Sequence, residues 1–241
     1  MQLNKIEILC TRPLLENIIA KAIENDINID CIPFIRSETI SGHEVIEAIQ
    51  SLAAKKITAI FTSLNAVEAV ITRFSAKPDW EIFCIGGVTK EEIVNFFGAN
   101  AVKGSARNAE TLAEKIIAQK NNDEIVFFCG DHRMEILPRI LSANNINISE
   151  VIVYKTIHIP HIIEKNYEGI IFFSPSAVHS FFTENTIPTD IVLFAIGKTT
   201  ADSIGTYVSN NVIISEWPRQ EEMVEKVIDH FSNIKQINKR L

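Results

Sequence analysis

The stretch Ile57-Thr58-Ala59-Ile60-Phe61-Thr62-Ser63-Leu64-Asn65-Ala66-Val67 reads as a strand that runs straight into a helix. Its first five residues form an apolar run without alternation, which suits a parallel strand covered on both faces. Two small hydroxyls follow, Thr62 and Ser63, and then Val67, Val70, Ile71 and Phe74 recur at helical spacing on one stripe. The same unit returns 111 positions later, where Phe172-Phe173-Ser174-Pro175-Ser176-Ala177-Val178 matches 61–67. At the same offset, Cys84-Ile85-Gly86-Gly87-Val88-Thr89 matches Ala195-Ile196-Gly197-Lys198-Thr199-Thr200. A looser third pair sets Ile32-Pro33-Phe34-Ile35-Arg36 against Ile152-Val153-Tyr154-Lys155-Thr156. Three collinear matches point to a duplicated domain.

The chain has 241 residues, 46 % of them hydrophobic and 22 % charged, with a formal net charge of −7. At roughly 100–200 residues per domain the length fits one large domain or two small ones, and the repeat decides for two. The apolar content excludes wholesale disorder. Acids outnumber Lys plus Arg by 30 to 23, which argues against a chain-wide basic face for nucleic acid or an anionic membrane. Cys10, Cys31, Cys84 and Cys129 stand 21, 53 and 45 positions apart, so no C-x-x-C pair offers a zinc or iron–sulfur site. Each adjoins an apolar run and reads as a free thiol buried in a strand. Met1 to Lys5 lead directly into a strand-like run with no secretory leader. No apolar run approaches the ~18 residues that a bilayer span needs. A cytoplasmic protein with no membrane attachment is the expectation.

Further apolar runs at 5–10, 30–35, 81–85, 124–129, 150–155, 169–173, 191–196 and 211–215 read as strands. Helical stripes lie between them, at Leu14, Leu15, Ile18, Ile19, Ala22 and Ile23, and at Met223, Val224, Val227, Ile228 and Phe231. This alternation implies an α/β fold with mostly parallel sheets. The segments 38–43 and 158–164 each hold a Gly or a Pro and read as crossings between the domains.

In open parallel sheets, ligands bind beyond the carboxyl ends of the strands. Small hydroxyls follow the strands here: Thr11, Thr62 and Ser63, Thr89, Ser174 and Ser176, and Thr199 and Thr200. At helix N-termini, where backbone N–H groups and the helix dipole favour an anion, they outline an anion-binding rim. Taken singly, each reads first as a plain N-cap, and it is the repetition along one rim that brings the anion-binding reading level with it. Arg12, Arg133 and Lys198, with Lys155 near a crossing, are the cations on this rim, each to be weighed against an ordinary solvated charge. Gly197-Lys198-Thr199 ends like a P-loop, but Val192 takes the place of the earlier glycine, and no G-x-G-x-x-G follows any strand. His158 and His161 flank Pro160 rather than sharing a helical face, which argues against a metal. Ser174-Pro175-Ser176 is no nucleophile elbow.

These residues resemble the uroporphyrinogen-III synthase family. The stretches that carry the likeness are Phe61-Thr62-Ser63-x-x-Ala66-Val67, Phe128-Cys129-Gly130-Asp131-His132-Arg133-x-Glu135-x-Leu137-Pro138, Val153-Tyr154-Lys155-Thr156, Phe173-Ser174-Pro175-Ser176-Ala177-Val178 and Ala195-Ile196-Gly197-Lys198-Thr199-Thr200-Ala201. They stand in family order and cover nearly the whole chain. The resemblance implies two similar α/β domains with parallel sheets, joined by a two-stranded β ladder, with the active cleft between them. One domain would combine 1–34 with 160–241, the other would be 40–150, and 35–39 with 151–159 would form the ladder.

The implied reaction is a lyase step without cofactor or metal. Hydroxymethylbilane, a linear tetrapyrrole, loses its terminal hydroxyl as water and closes with inversion of ring D to uroporphyrinogen III, in haem biosynthesis. By position, Tyr154 matches a tyrosine that assists water loss, and Thr89 a threonine facing the cleft. The expected substrate-binding set joins Ser63, Ser174, Thr199 and Thr200, which match family positions that hold the substrate's carboxylates, to Arg12, Asn65, Gly130, Arg133, Ser176 and Lys198. Lys198 takes a variable place in its motif, and its pairing with a carboxylate is read from its place after a strand. Asn65 stands where some family members carry Arg, which removes a direct salt bridge there. The expected partner is the small substrate alone, handled by a monomer in at most transient contact with the preceding enzyme. The competing readings are a two-lobed polycarboxylate-binding protein without catalysis, and an inactive partner that channels the bilane.

Overall fold

Strands and helices alternate along the chain of a computed structural model that describes residues 5–119, 123–217 and 219–238, without the side chains of 234–238. The order opens with β1 (Ile6–Cys10), α1 (Glu16–Glu24), β2 (Ile27–Cys31), β3 (Ile35–Thr39), α2 (His43–Ala53), β4 (Ile57–Phe61) and α3 (Leu64–Ile71). It continues with β5 (Glu81–Ile85), α4 (Val88–Phe97), a 3-10 turn at Ala99–Ala101, β6 (Val102–Ala106), α5 (Ala109–Gln119), β7 (Glu124–Gly130) and α6 (Ile136–Ala143). The last elements are β8 (Ser149–His158), β9 (Gly169–Phe172), α7 (Pro175–Glu184), β10 (Val192–Ala195), α8 (Lys198–Ile204), β11 (Val212–Ile214) and α9 (Gln220–Asn238).

The chain divides into two units, one drawing on residues up to Arg36 and from Ile157 onward, the other formed by Ser37–Thr156. The first holds a parallel sheet in the order β11-β10-β9-β1-β2. The second holds the order β3-β8-β7-β4-β5-β6, with β8 to β6 parallel throughout. Replacing β9, β10, β11, β1 and β2 by β4, β5, β6, β7 and β8 converts one order into the other. The duplication is therefore one of topology, with β1-α1-β2 of the first unit standing for the last third of the second. In each sheet the strand order reverses at one place, between β1 and β9 and between β4 and β7, the switch points where open α/β sheets bind ligands.

Helices on both faces explain why the central strands are apolar without alternation. In the second unit, Phe61, Val67, Trp80 and Phe128 belong to one buried cluster, while Ile60, Phe83, Phe127 and Leu141 belong to another. In the first, Ile8, Ile171 and Val227 lie in one cluster and Leu9, Phe172 and Phe181 in the second. β4 and β9 are buried at every position.

Several expectations are corrected. The strand read at 30–35 is two strands, β2 and β3, parted at Pro33, which has no N–H for a ladder. β2 is an edge strand whose sequence Ile27-Asn28-Ile29-Asp30-Cys31 alternates, unlike the continuous runs expected. β6 has no counterpart among the expected strands: Val-Lys-Gly-Ser-Ala carries no apolar run, and Gly104 leaves room for the Phe83 ring from the neighbouring strand. α1 begins only at Glu16, so Leu14 and Leu15 precede it, and Phe74 lies beyond the end of α3. The ladder of β3 and β8 is antiparallel. Ile40 N donates to Val153 O at 2.9 Å and Ile159 N to Phe34 O at 2.8 Å, so numbers rise on one strand as they fall on the other. The chain passes from one unit to the other within β3 and returns within β8. Cys10, Cys84 and Cys129 are buried, but Cys31 is only partly so. Among the described residues no helix is long and apolar enough to cross a membrane.

Candidate functional site

At the switch point of the second unit, β4 ends in Phe61 and the chain turns through Thr62 and Ser63 into α3. Ser63 is extended and its Oγ accepts the N–H of Ala66 at 3.2 Å, which caps the helix. The same Oγ donates to Tyr154 Oη at 3.2 Å. Tyr154 reaches it from β8, where a register shift between Cys129 and Gly130 sets Gly130 opposite Tyr154. A Cβ on Gly130 would run into the phenol ring, at 2.8 Å from Oη and closer still to Cζ. The missing side chain of Gly130 is thus the seat of Tyr154. Burial raises the Tyr154 pKa, a rise opposed in part by the hydrogen bond from Ser63. The phenol is therefore protonated at neutral pH and available as a proton donor.

The loop after β7 is tied to the same strand. Asp131 N donates to Tyr154 O at 3.2 Å, and Asp131 Oδ1 accepts Thr156 N at 3.0 Å. Asp131 stands in a quoted motif without an expected role; its anchoring depends on the β7–β8 register, which the sequence does not display. Arg133 Nε donates to Glu150 Oε2 and Nη1 to Glu135 Oε1, both at 2.6 Å. Glu150 above all, then Glu135, holds this guanidinium charged against the effect of burial, so its charge is met within the protein. Asn65 is exposed and donates to Ser37 Oγ at 2.7 Å. Thr89 is the second residue of α4 and only 5 % exposed, while its neighbour Val88 is 62 % exposed. Gly87 precedes α4 as its N-cap, with a φ of 71° that L side chains rarely adopt.

At the switch point of the first unit, Arg12 and Phe173 follow the ends of β1 and β9. The guanidinium of Arg12 lies 5.1 Å from the centre of the Phe173 ring, within cation–π reach, and the residue is exposed. Phe173, which sequence reasoning missed, thus orients a rim cation whose charge, unlike those of Arg133 and Lys198, is not taken up by a carboxylate among the described residues. Ser174 caps α7 by accepting Ala177 N at 3.2 Å, with Pro175 at the first helical position and the partly buried Ser176 next. Thr11 departs from expectation: it is buried, its Oγ1 donates to Ile171 O at 2.8 Å, and α1 does not start until Glu16. Lys198 opens α8 and pairs with Asp202 Oδ1 at 2.8 Å one turn later. Thr199 beside it is exposed, whereas Thr200 is buried.

The predicted residues lie on the rims of both units, and their hydroxyls differ in use. Ser63 and Ser174 cap helices at matching places of the two units, Thr11 bridges strands, and Thr89 and Thr200 face inward. Among the described residues of these rims, the available chemistry includes the protonated Tyr154 phenol, the exposed Arg12 guanidinium and the N-terminal N–H groups of α3, α4, α7 and α8.

The family model of uroporphyrinogen-III synthase HemD matches residues 16–225. Among solved structures, the uroporphyrinogen-III synthetase of Helicobacter pylori 26695 is similar with a TM-score of 0.64 at 14 % identity, over 93 % of this chain and 99 % of that one. A mutant uroporphyrinogen III synthase from the extremely thermophilic bacterium Thermus thermophilus is similar with a TM-score of 0.65 at 12 % identity, over 95 % and 99 %. At such identities the structural likeness speaks to the fold.

Proposed function

The chain belongs to the uroporphyrinogen-III synthase family, and on that premise we propose that it closes hydroxymethylbilane to uroporphyrinogen III as a carbon–oxygen hydro-lyase. The observation that carries the chemical step is the Tyr154 phenol, seated over Gly130 and held by Ser63 at 3.2 Å. Tyr154 donates its proton to the departing hydroxyl, water leaves, and the resulting cation returns its pyrrole N–H proton to the phenolate, so that a neutral azafulvene remains. The far pyrrole attacks through its substituted carbon, and the spiro product breaks and recloses with that ring inverted. Ser63 is a positioning residue that fixes the phenol, and Gly130 supplies its space.

Unaided, the same bilane closes without inversion, so orientation matters more than leaving-group activation. Holding reacting groups in place supplies up to roughly 7–11 kcal/mol. The substrate's carboxylates are bound by the N–H groups at the starts of α3 and α7 and by Arg12. These local fields suit a polyanion even on a chain of net charge −7. Thr89 and Thr200 serve through the backbone of their helix starts rather than through their buried hydroxyls, and Arg133 fixes the loop that carries Asp131.

The test is to add purified protein to freshly made hydroxymethylbilane and follow its loss against spontaneous closure. Loss that accelerates in proportion to protein is expected. Saturable binding that leaves the spontaneous rate unchanged would replace the enzyme with a polycarboxylate-binding protein.

A further inference from the structure

Two thiols face each other at the carboxyl ends of β1 and β2. Cys10 and Cys31 are the last residues of their strands and partners in the parallel register. Strands in one sheet lie about 4.8 Å apart, and partners in register point to the same face. That spacing falls inside the Cα separation a disulfide spans, about 4.4–6.8 Å. Cys10 belongs to the cluster that also holds Ile18, Ala22 and Val227 of α1 and α9, and Cys31 packs against it.

The pair is asymmetric. Cys10 is fully buried, and its Sγ donates to Arg12 O at 3.1 Å. Cys31, its partner in register, is partly exposed. The neighbouring Cys10 thiol first, and then the Leu14 backbone, pull the Cys31 pKa down despite burial, whereas burial raises that of Cys10. Burial also pushes Cys84 and Cys129 up to about 11. Cys31 alone among the four combines solvent access, support for its thiolate and a second thiol directly behind it.

We infer that Cys10 and Cys31 form an oxidisable dithiol site for peroxide-class oxidants, with Cys31 as the attacking thiolate and Cys10 as the resolving thiol. The Cys31 thiolate attacks one peroxide oxygen, the O–O bond breaks, and the other oxygen leaves as water after taking a proton, so Cys31 becomes a sulfenic acid. Cys10 then loses its proton and attacks the Cys31 sulfur. The S–S bond forms as the S–O bond breaks, and a second water leaves. Two thiols lose two protons and two electrons, and hydrogen peroxide is reduced to two waters. A dithiol reductant reverses the result by thiol–disulfide exchange. The site does not depend on the proposed synthase activity.

The test treats the folded, full-length protein with hydrogen peroxide, blocks remaining thiols with iodoacetamide after unfolding, and maps tryptic peptides by mass spectrometry. Because Pro13 follows Arg12 and protects that bond, Cys10 and Cys31 fall on the adjoining peptides 6–21 and 22–36. The expected species joins these two with the loss of two hydrogens and separates on dithiothreitol treatment, while Cys84 and Cys129 are recovered alkylated. In the Cys10→Ala variant, Cys31 stops at a sulfenic acid that dimedone traps. Without oxidant, iodoacetamide labels Cys31 of the folded protein on the order of tenfold or more faster than Cys84. Oxidation of Cys84 or Cys129 ahead of Cys31 overturns the proposal, as does wild-type Cys31 passing to sulfinic acid without the cross-link.

Discussion

A Cβ added to Gly130 would stand 2.8 Å from Tyr154 Oη and press into the ring itself, so the phenol and that methyl group compete for one space. Gly130→Ala should therefore move the ring without removing the phenol. Tyr154→Phe removes the proton and leaves the ring seated. Both variants are expected to lose kcat by about 10²-fold or more, the scale of general-acid assistance, with a smaller change in KM. Steady-state kinetics with fresh bilane checks this. Unchanged turnover in Tyr154→Phe would take the acid role from that residue, and unchanged turnover in Gly130→Ala would show that the ring's seat is immaterial. Tyr154, Ser63 and Gly130 are each legible in the sequence, through the motifs that hold them. Their mutual contact is not, because it depends on the register shift between Cys129 and Gly130. The partners of Arg133 are equally hidden, since Glu150 lies on a different strand.

The helix starts show how one residue type serves different ends. Ser63 and Ser174 occupy equivalent places, and each accepts a backbone N–H three residues on. Ser174→Ala should destabilise the fold by about 1 kcal/mol, the usual worth of such a cap, read as a lower midpoint in urea with an unchanged slope. No loss of stability would mean that Pro175 alone sets the start of α7. The central strands are legible because helices cover both faces and leave continuous apolar runs. β2 and β6 escape that reading for the complementary reason: they are edges, with one face or neither requiring apolar residues. Thr11 reads as a rim residue because it follows a strand; its distance from α1, which starts at Glu16, frees it to bridge to Ile171 instead.

Over the whole molecule, the repeat at 111 positions marks a duplicated topology, with β1-α1-β2 completing a sheet whose other strands come after residue 168. Family resemblance implies that exchange and periodicity does not, because the local pattern of β1 is the same whichever sheet it joins.

Global stability should also respond to acid through α9. His230 Nε2 is buried without a hydrogen-bond partner among the described residues, and burial lowers the ring's pKa from 6.5. The unfolded chain then binds the proton more readily than the folded one. This contribution is complete above pH 6.5 and is lost as pH falls toward the depressed value, with a slope of at most about 1.4 kcal/mol per pH unit. Glu7 and Asp30, whose carboxylates Lys165 holds below their ordinary 4.5 and 3.8, act in a lower window. His230→Leu should flatten urea-derived stability just below pH 6.5 while leaving the loss at lower pH, and an unaltered slope would contradict the assignment.

The most direct measurement is the isomer composition of the product from freshly made hydroxymethylbilane. Protein-dependent formation of uroporphyrinogen III, with ring D inverted, is the predicted result. Formation of the symmetric I isomer alone, at the rate of spontaneous closure, would contradict it.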